Sequence, residues 1–503
     1  MFKQIFKFQF LVYNLCFIIL FNNALFSQTI KWSQPLQDNK KFPHLLILGE
    51  NESGNFYVLR SNISLENDRD RSGFRNRVYI LQYYSSEMSL IWDKELLTSY
   101  ENGHISDVKF INGRIIVASY IYDKKSKIYY FYAQYLDEAG KWIGKPESLD
   151  NFSAEFLDEN NKPGFISSRD QSMLAFSYRK IFKNEKTQSF EVIVIDTSLI
   201  LKYKKEIALP VSTQLFIPLD FILTNQGSFY ILGIHYTTEK KIKVPDQYFY
   251  ELYGYSLLLD RTVNTSIRSE NKFLTDVGIV ADDINRSIVV AGFYSDKTTY
   301  STAGVFYYAL NEDSLHETKT INTPFSATYL QKFYDEKKEG RELVNFSIDR
   351  LFVRKDGGVA LIAESRYETN RSYYDYYMQT FVSHTYYHFG NIMAISVNPD
   401  GKILWNNVIS KDQNSVDDAG FYSSYYCAVT GKGLITFYNK YIDDDSSVLI
   451  SLLEAGGGQK TDVLFNEILK VTILPHSARQ IDDETVLIPA YKENKFYIVQ
   501  ISF

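Results

Sequence analysis

Short apolar stretches, alternating or continuous and bounded by Gly, Asn or Asp, recur along the chain from residue 28 to its end. Strict alternation lays one face of a strand on a core, and a continuous apolar run of about four to eight residues marks a strand covered on both faces. No stretch in this part of the chain keeps the 3.6-residue apolar period of an amphipathic helix. One of the strands repeats. It reads Ile116-Val117-Ala118-Ser119-Tyr120, Leu174-Ala175-Phe176-Ser177-Tyr178, Leu232-Gly233-Ile234-His235-Tyr236 and Val290-Ala291-Gly292-Phe293-Tyr294, with the tyrosines 58 residues apart each time. Later copies end at Tyr367, Tyr438 and Tyr491, after intervals of 73, 71 and 53, and Phe56-Tyr57-Val58-Leu59-Arg60 stands about one interval before the first. A recurring period of this size is the signature of a repeat architecture.

Tryptophan marks a second point in each unit. Trp32, Trp92, Trp142 and Trp405 lie in look-alike segments that begin the closing strand of a unit, two of them after the turns Asp137-Glu138-Ala139-Gly140 and Asn398-Pro399-Asp400-Gly401. Asp and Gly at such places supply the backbone conformations that tight hairpins need. Each unit therefore reads as four antiparallel strands. The predicted fold is all-β: a β-propeller of eight four-stranded blades, with seven as the alternative if one unit is irregular. Residues 473–503 provide three strands only, and the segment from Ile30 to Leu36 is expected to supply the fourth, so that an N-terminal strand completes the last blade and covers its edge.

The run Ala394-Ile395-Ser396-Val397-Asn398-Pro399-Asp400-Gly401-Lys402-Ile403-Leu404-Trp405 resembles the hairpin of quinoprotein-like and WD40-like repeats of secreted bacterial β-propellers. The resemblance implies fold only. No residue pattern carries over a quinone-binding or dehydrogenase site, and the Ser-x-Asp-x-Gly-x-x-Trp turns of sialidase-like propellers are missing.

The first 27 residues read differently. Lys3 and Lys7 precede an apolar run from Phe8 to Phe21, followed by small and polar residues up to Ser27. Fourteen residues fall short of the roughly 17–25 that span a bilayer, so a signal peptide over 1–27 is expected, with 28–503 as a single propeller domain. Export to the periplasm, cell surface or medium follows from that expectation. Cys16 lies within the apolar run, behind bulky Tyr13-Asn14-Leu15 and not a lipoprotein box, which leaves Cys427 alone and no internal disulfide. The net charge of −6 gives no basic footprint for a nucleic-acid partner. No membrane span is expected, and the chain should be monomeric outside an envelope assembly.

Candidate chemistry is sparse. The longest connection, residues 368–391, inserts Tyr373, Tyr374, Tyr376, Tyr377, Phe381, Tyr386, Tyr387 and Phe389, and the fourth unit adds Tyr248, Phe249 and Tyr250. Aromatic faces stack on sugar rings or anchor protein partners at modest entropic cost. Tyr373, Tyr374, Tyr376, Tyr377, Tyr386, Tyr387, Tyr248 and Tyr250 are therefore the candidate ligand-binding residues, for polysaccharide or an envelope protein. The plainer reading is an extended hairpin packed on its neighbour. Lys124, Lys125 and Lys127, Lys180, Lys183 and Lys186, and Lys240, Lys241 and Lys243 fall in equivalent loops, where shared orientation would attract an acidic partner. His384 and His388, four apart on a strand, would place their Cα atoms about 13 Å from each other, too far to share a metal. Asp443-Asp444-Asp445 lacks the spaced ligands of a calcium loop. No metal, cofactor or catalytic residue is assigned, and Asp282-Asp283, Asp417-Asp418 and Asp482-Asp483 are acidic pairs at unit edges. The function expected is binding or scaffolding without catalysis; the alternative is a carbohydrate-active hydrolase or lyase with carboxylates meeting at the propeller channel.

Overall fold

A computed structural model describes residues 28–503, except 37–40, 63–76, 157–162, 183–185, 242–243, 245–246, 270, 335–340, 443–445 and 494. Residues 1–27, where a signal peptide is expected, Lys183, Lys243 and Asp443-Asp444-Asp445 lie outside the described residues. No helix among the described residues is long and apolar enough to cross a membrane. The architecture is all-β and propeller-like, built from antiparallel four-stranded sheets that follow one another along the chain. The residues gather into two compact units, Asp38–Gly420 and the N-terminal segment with Phe421–Phe503.

The larger unit holds six sheets in succession, spanning residues 44–95, 103–153, 164–209, 216–267, 273–324 and 346–409. Each is a meander in which every strand pairs with the next. The first strands His44–Glu50, Gly103–Ile111, Gly164–Ser167, Phe216–Leu223, Phe273–Asp282 and Phe346–Val353 lie beside one another in that order and form the inner wall. The repeat tyrosines fall on second strands, where Tyr120, Tyr178, Tyr236 and Tyr294 are buried. Trp92, Trp142 and Trp405 fall on fourth strands, and the Trp92 indole N–H donates to the Glu138 carbonyl of the following sheet at 3.0 Å. Apolar clusters fill the spaces between neighbouring sheets; that between the fourth and fifth includes Tyr230, Leu232, Tyr250, Leu252, Val290 and Phe306. Large side chains offered on both faces of a sheet make such packing continuous, because each sheet is covered by the next.

Polar ties recur with the same period as the core. Five of the first strands carry a bulge near their middle. In three of them the next paired residue is Asp107, Asp220 or Asp276, and each carboxylate accepts the following backbone N–H at 2.8–2.9 Å. The second oxygen of Asp107 accepts the Phe165 N–H at 2.8 Å and that of Asp276 the Ile348 N–H at 2.6 Å, stitching one inner strand to the next. An unsatisfied backbone donor costs about 1–3 kcal/mol, so Asp107→Ala should lower stability by that amount in a urea melt. Asp107→Asn, which keeps one of the two acceptors, should recover only part of it.

The smaller unit contains two sheets. One runs through Tyr426–Thr430, Gly433–Asn439, Val448–Glu454 and Gln459–Phe465, and buries Cys427 and Tyr438. In the other, Thr29–Trp32 pairs antiparallel with Lys495–Ser502, so the N-terminal strand does complete the last sheet. Trp32 packs on Phe465 and Tyr497 at centroid distances of 5.3 and 5.5 Å. The described residues thus form eight sheets of four or five strands, besides the two-stranded pair Ser301–Thr302 and Leu343–Val344.

Candidate functional site

The sixth sheet departs from its neighbours. Its second and third strands, Val359–Asp375 and Thr380–Val397, are 17 and 18 residues long, and their pairing runs on from Arg366↔Phe389 to Asp375↔Thr380. Gln413–Val416 pairs with residues 386–389 and covers part of one edge. The connection is thus the extended hairpin of the plainer sequence reading, but as an arm of regular sheet grown beyond the end of the body and not packed on a neighbouring sheet. Without a neighbouring sheet to cover it, its side chains meet water. Tyr373, Tyr374, Tyr376 and Tyr377 are 54%, 41%, 84% and 101% exposed, and Met378 and Phe381 join them. Tyr386 and Tyr387 are half-buried.

Register sorts these side chains. On one face Tyr367, Thr369, Arg371 and Tyr373 oppose His388, Tyr386, His384 and Val382. The Tyr367 and His388 rings stack at 4.4 Å, Tyr373 and His384 at 5.7 Å, and the Arg371 guanidinium lies 5.0 Å from the Tyr386 ring. Both histidines are oriented from each side. Asp417 holds His384 Nδ1 at 2.6 Å, and the Tyr373 hydroxyl meets Nε2 at 3.3 Å; Asn414 holds His388 Nδ1 at 2.6 Å, and the Thr369 hydroxyl meets Nε2 at 3.0 Å. The imidazole at position 384 and the Thr385 N–H keep the Asp417 carboxyl below the usual carboxylate range. The arm therefore presents flat rings edged with hydroxyl, imidazole and guanidinium groups, positioned before any ligand arrives. At the tip, Tyr374 makes edge contacts with Tyr376 and Phe381 at 5.2 and 5.3 Å.

Tyr248 and Tyr250 do not belong to this surface. They sit in the strand Tyr248–Ser256, buried at every position, and their hydroxyls donate to the Leu274 carbonyl of the fifth sheet at 2.7 and 3.5 Å. Their role is to join sheets, because a third strand is covered on both faces and aromatic density there signals core. The lysines also divide. Lys124, Lys125, Lys127, Lys186, Lys240 and Lys241 are exposed on connections between second and third strands, whereas Lys180 is engaged by Glu191 and Glu206.

The acidic pairs close turns. Asp282 bonds the Asn285 amide at 2.7 Å, Asp283 accepts the Asn225 N–H at 2.7 Å, Asp418 bonds Ser415 at 2.6 Å, and Asp482 caps the Glu484 N–H at 2.7 Å. On the inner wall, Asp107 and Asp276 are occupied by the backbone ties. Asp220 is different: it is open to solvent but crowded by protein, and burial pushes its carboxyl above the usual range against the Phe221 N–H. No group of three His, Cys, Asp or Glu side chains among the described residues converges to hold a metal ion.

No protein-family model and no curated protein matches the chain. Solved structures do, and they are propeller-like. An oligogalacturonate lyase in complex with manganese has 10% identity and a TM-score of 0.35, over 79% of this chain and 96% of that one. Prolyl oligopeptidase B from Galerina marginata has 8% identity and a TM-score of 0.37, over 92% of this chain and 54% of that one. Bacillus subtilis levansucrase has 10% identity and a TM-score of 0.27, over 59% and 87% respectively.

Proposed function

We propose that the protein is a carbohydrate-binding β-propeller whose contact surface is the arm formed by residues 366–389. The observation that carries this reading is the row of exposed tyrosines at the end of the arm, Tyr373 and Tyr374 on opposite faces of its strand and Tyr376 and Tyr377 in the turn that follows. Contiguous exposed apolar surface in a soluble protein marks an interaction site. The composition of the row indicates the ligand. Tyrosine gives a flat apolar face for the C–H face of a sugar and a hydroxyl at its rim, and Arg371, Thr369 and His384 set polar groups between the rings. Acidic and basic residues are mixed along the arm (Glu368, Asp375 and Asp417 with Arg366 and Arg371), which suits a neutral polysaccharide.

The test is binding of the purified protein to neutral and acidic bacterial and plant polysaccharides. Replacing Tyr373, Tyr374, Tyr376 and Tyr377 together by Ala should weaken binding at least about tenfold while leaving the thermal midpoint unchanged, because stacked-ring contacts dominate such surfaces and these rings stabilise no core. Unaltered binding by the quadruple variant would remove the arm from the function.

A second reading, a carbohydrate-active hydrolase or lyase, rests on Asp220. A carboxyl held above the usual carboxylate range is the type of group that general-acid cleavage of a glycosidic bond uses. Release of reducing ends or unsaturated products in the same wells, abolished by Asp220→Asn, would support that reading over simple binding.

A further inference from the structure

A strand left open on one edge offers a row of backbone donors and acceptors, and the arm has such an edge. The first strand of the sixth sheet, Phe346–Val353, pairs with residues 359–365 and stops there. Just beyond it, the Arg366 N–H donates to the Asn345 carbonyl at 2.9 Å. From residue 367 to residue 375 no strand among the described residues pairs with that side. The segment is exposed at every position except Thr369 and Asp375, which are half-buried. It contains no proline or lysine, the residues that commonly guard an edge against pairing.

The hydrogen-bonding phase of this edge follows from both sides of the arm. Backbone groups along an antiparallel strand point alternately to one neighbour and to the other. The Arg366 N–H points outward to Asn345. On the far side of the hairpin, the Thr385 carbonyl points outward and accepts the Asp417 N–H at 2.9 Å. Both contacts make Tyr367↔His388, Thr369↔Tyr386 and Arg371↔His384 the mutually bonded pairs. Glu368, Asn370, Ser372 and Tyr374 therefore present their N–H and C=O groups outward. The opposite edge of the arm is shorter, because Gln413–Val416 and Asp417 occupy residues 385–389.

We propose that this edge pairs with the same edge of a second copy of the chain, antiparallel about a two-fold axis through Ser372. A closed dimer needs a self-complementary surface, and this register supplies one. Ser372 faces its symmetry mate and Asn370 faces Tyr374 of the partner subunit, so outward groups meet outward groups in about six hydrogen bonds. On the other face, Arg371 stands opposite the partner's Tyr373 and diagonal to the partner's Asp375. That cation–π contact and that ion pair are each made twice by the symmetry. A register centred on Asn370 brings the partner's Tyr374 onto the place of Asn345, and one centred on Arg371 sets like charges opposite each other. Registers shifted further toward the tip leave fewer outward groups paired. The axis stands perpendicular to the sheet, so Tyr367, Thr369, Arg371 and Tyr373 of both copies lie on one side of the combined arms. Two ring surfaces become one longer platform; that consequence rests on the carbohydrate reading, whereas the pairing does not. The pairing departs from the monomer expected from sequence. Two such edges bury less than the roughly 1,200–2,000 Å² of a standard interface, so a reversible dimer in the micromolar range is expected.

Sedimentation velocity on the purified protein, without saccharide and from about 1 to 200 µM, tests the pairing. Monomer and dimer should exchange across that range. Ser372→Pro should hold the protein monomeric and leave the thermal midpoint unchanged, because the N–H it removes points away from the hairpin. Ser372→Cys places two thiols at the axis, with Cα atoms about 5.5 Å apart, a distance that a disulfide spans. Mild oxidation should cross-link that variant into a dimer. Ser383→Cys, exposed on the third strand of the same arm, should stay uncross-linked, and Cys427 is buried. Toward polysaccharide, Ser372→Pro should bind about tenfold more weakly than the parent, through loss of the joined platform. A protein that stays monomeric to the top of the range overturns the pairing and leaves the carbohydrate reading standing, whatever other strand the edge accepts. A dimer that persists in Ser372→Pro, with no cross-link through position 372, overturns this edge as its seat. Dimerisation lost in Ser372→Pro, with no polysaccharide bound by any variant, supports the pairing and overturns the carbohydrate reading alone.

Discussion

Taken above pH 10, the larger unit is expected to unfold in one steep transition, with tyrosinate absorbance appearing together with the loss of structure. Tyr84, Tyr178, Tyr203, Tyr230, Tyr248, Tyr250, Tyr253 and Tyr307 all lie in that unit and are buried. Burial, the largest cause in every case, raises each phenol above its ordinary value of 10, because phenolate cannot be solvated there; Tyr307 is pushed up to about 12, and Asp150 beside Tyr178 adds to the effect of burial. The sign follows from linkage. A folded-state pKa above the unfolded one gives stability that is complete below pH 10 and is lost as pH rises through the folded value. Each such tyrosine removes about 1.4 kcal/mol per pH unit above 10, so eight remove on the order of 10 kcal/mol per unit, comparable with the whole stability of an ordinary domain. Unfolding is thus expected between about pH 10.5 and 11.5. Tyr250→Phe, which removes one titrating group and only a 3.5 Å hydrogen bond, should move the midpoint upward. Ionisation of these tyrosines with the fold intact would contradict their burial.

The same residues explain how far the fold could be read from the chain. A tyrosine closing an apolar second strand recurs because each sheet packs on the next in the same way, and a 58-residue spacing is the length of one four-stranded meander with its turns. Tryptophan marks fourth strands because there it bridges to the neighbouring sheet, as Trp92 does to Glu138. The pattern loses meaning where a sheet is irregular. Tyr367 stands for the repeat tyrosine of the sixth unit, after an interval of 73, but is 46% exposed, since the apolar strand of the sixth sheet ends at Ala363 and the chain runs on into the arm. Aromatic density alone could not separate exposed from buried rings: residues 248–255 and 373–387 look alike in composition, and only the neighbouring sheet, present for one and absent for the other, decides. The chain does carry one further signal, a lone Glu364 closing the run Val359-Ala360-Leu361-Ile362-Ala363.

That glutamate gives the second large effect. Glu364 and Lys411 are both fully buried and meet at 2.7 Å, and the Lys411 ammonium also donates to the Gln413 side chain at 2.8 Å and the Phe389 carbonyl at 3.2 Å. Burial depresses the Lys411 ammonium against the pull of Glu364, the mark of a charge kept in the interior by its partner. Glu364 lies on the second strand, Phe389 on the third, Gln413 on the covering strand, and Lys411 in the link from the fourth strand to the covering strand, beside the register shift where the arm leaves the body. Lys411→Met should therefore cost about 3–5 kcal/mol, because it leaves the carboxylate buried without its cation, and lower the thermal midpoint by several degrees. Adding Glu364→Gln should restore most of that loss, since an uncharged pair removes the cost of the stranded ion. The consequence reaches the ligand surface. With the clamp gone, amide exchange should quicken through residues 366–389, and polysaccharide binding should weaken although no ring in the arm has been changed. If Lys411→Met melts and binds as the parent does, the buried pair does not position the arm, and the strand Gln413–Val416 must hold it unaided.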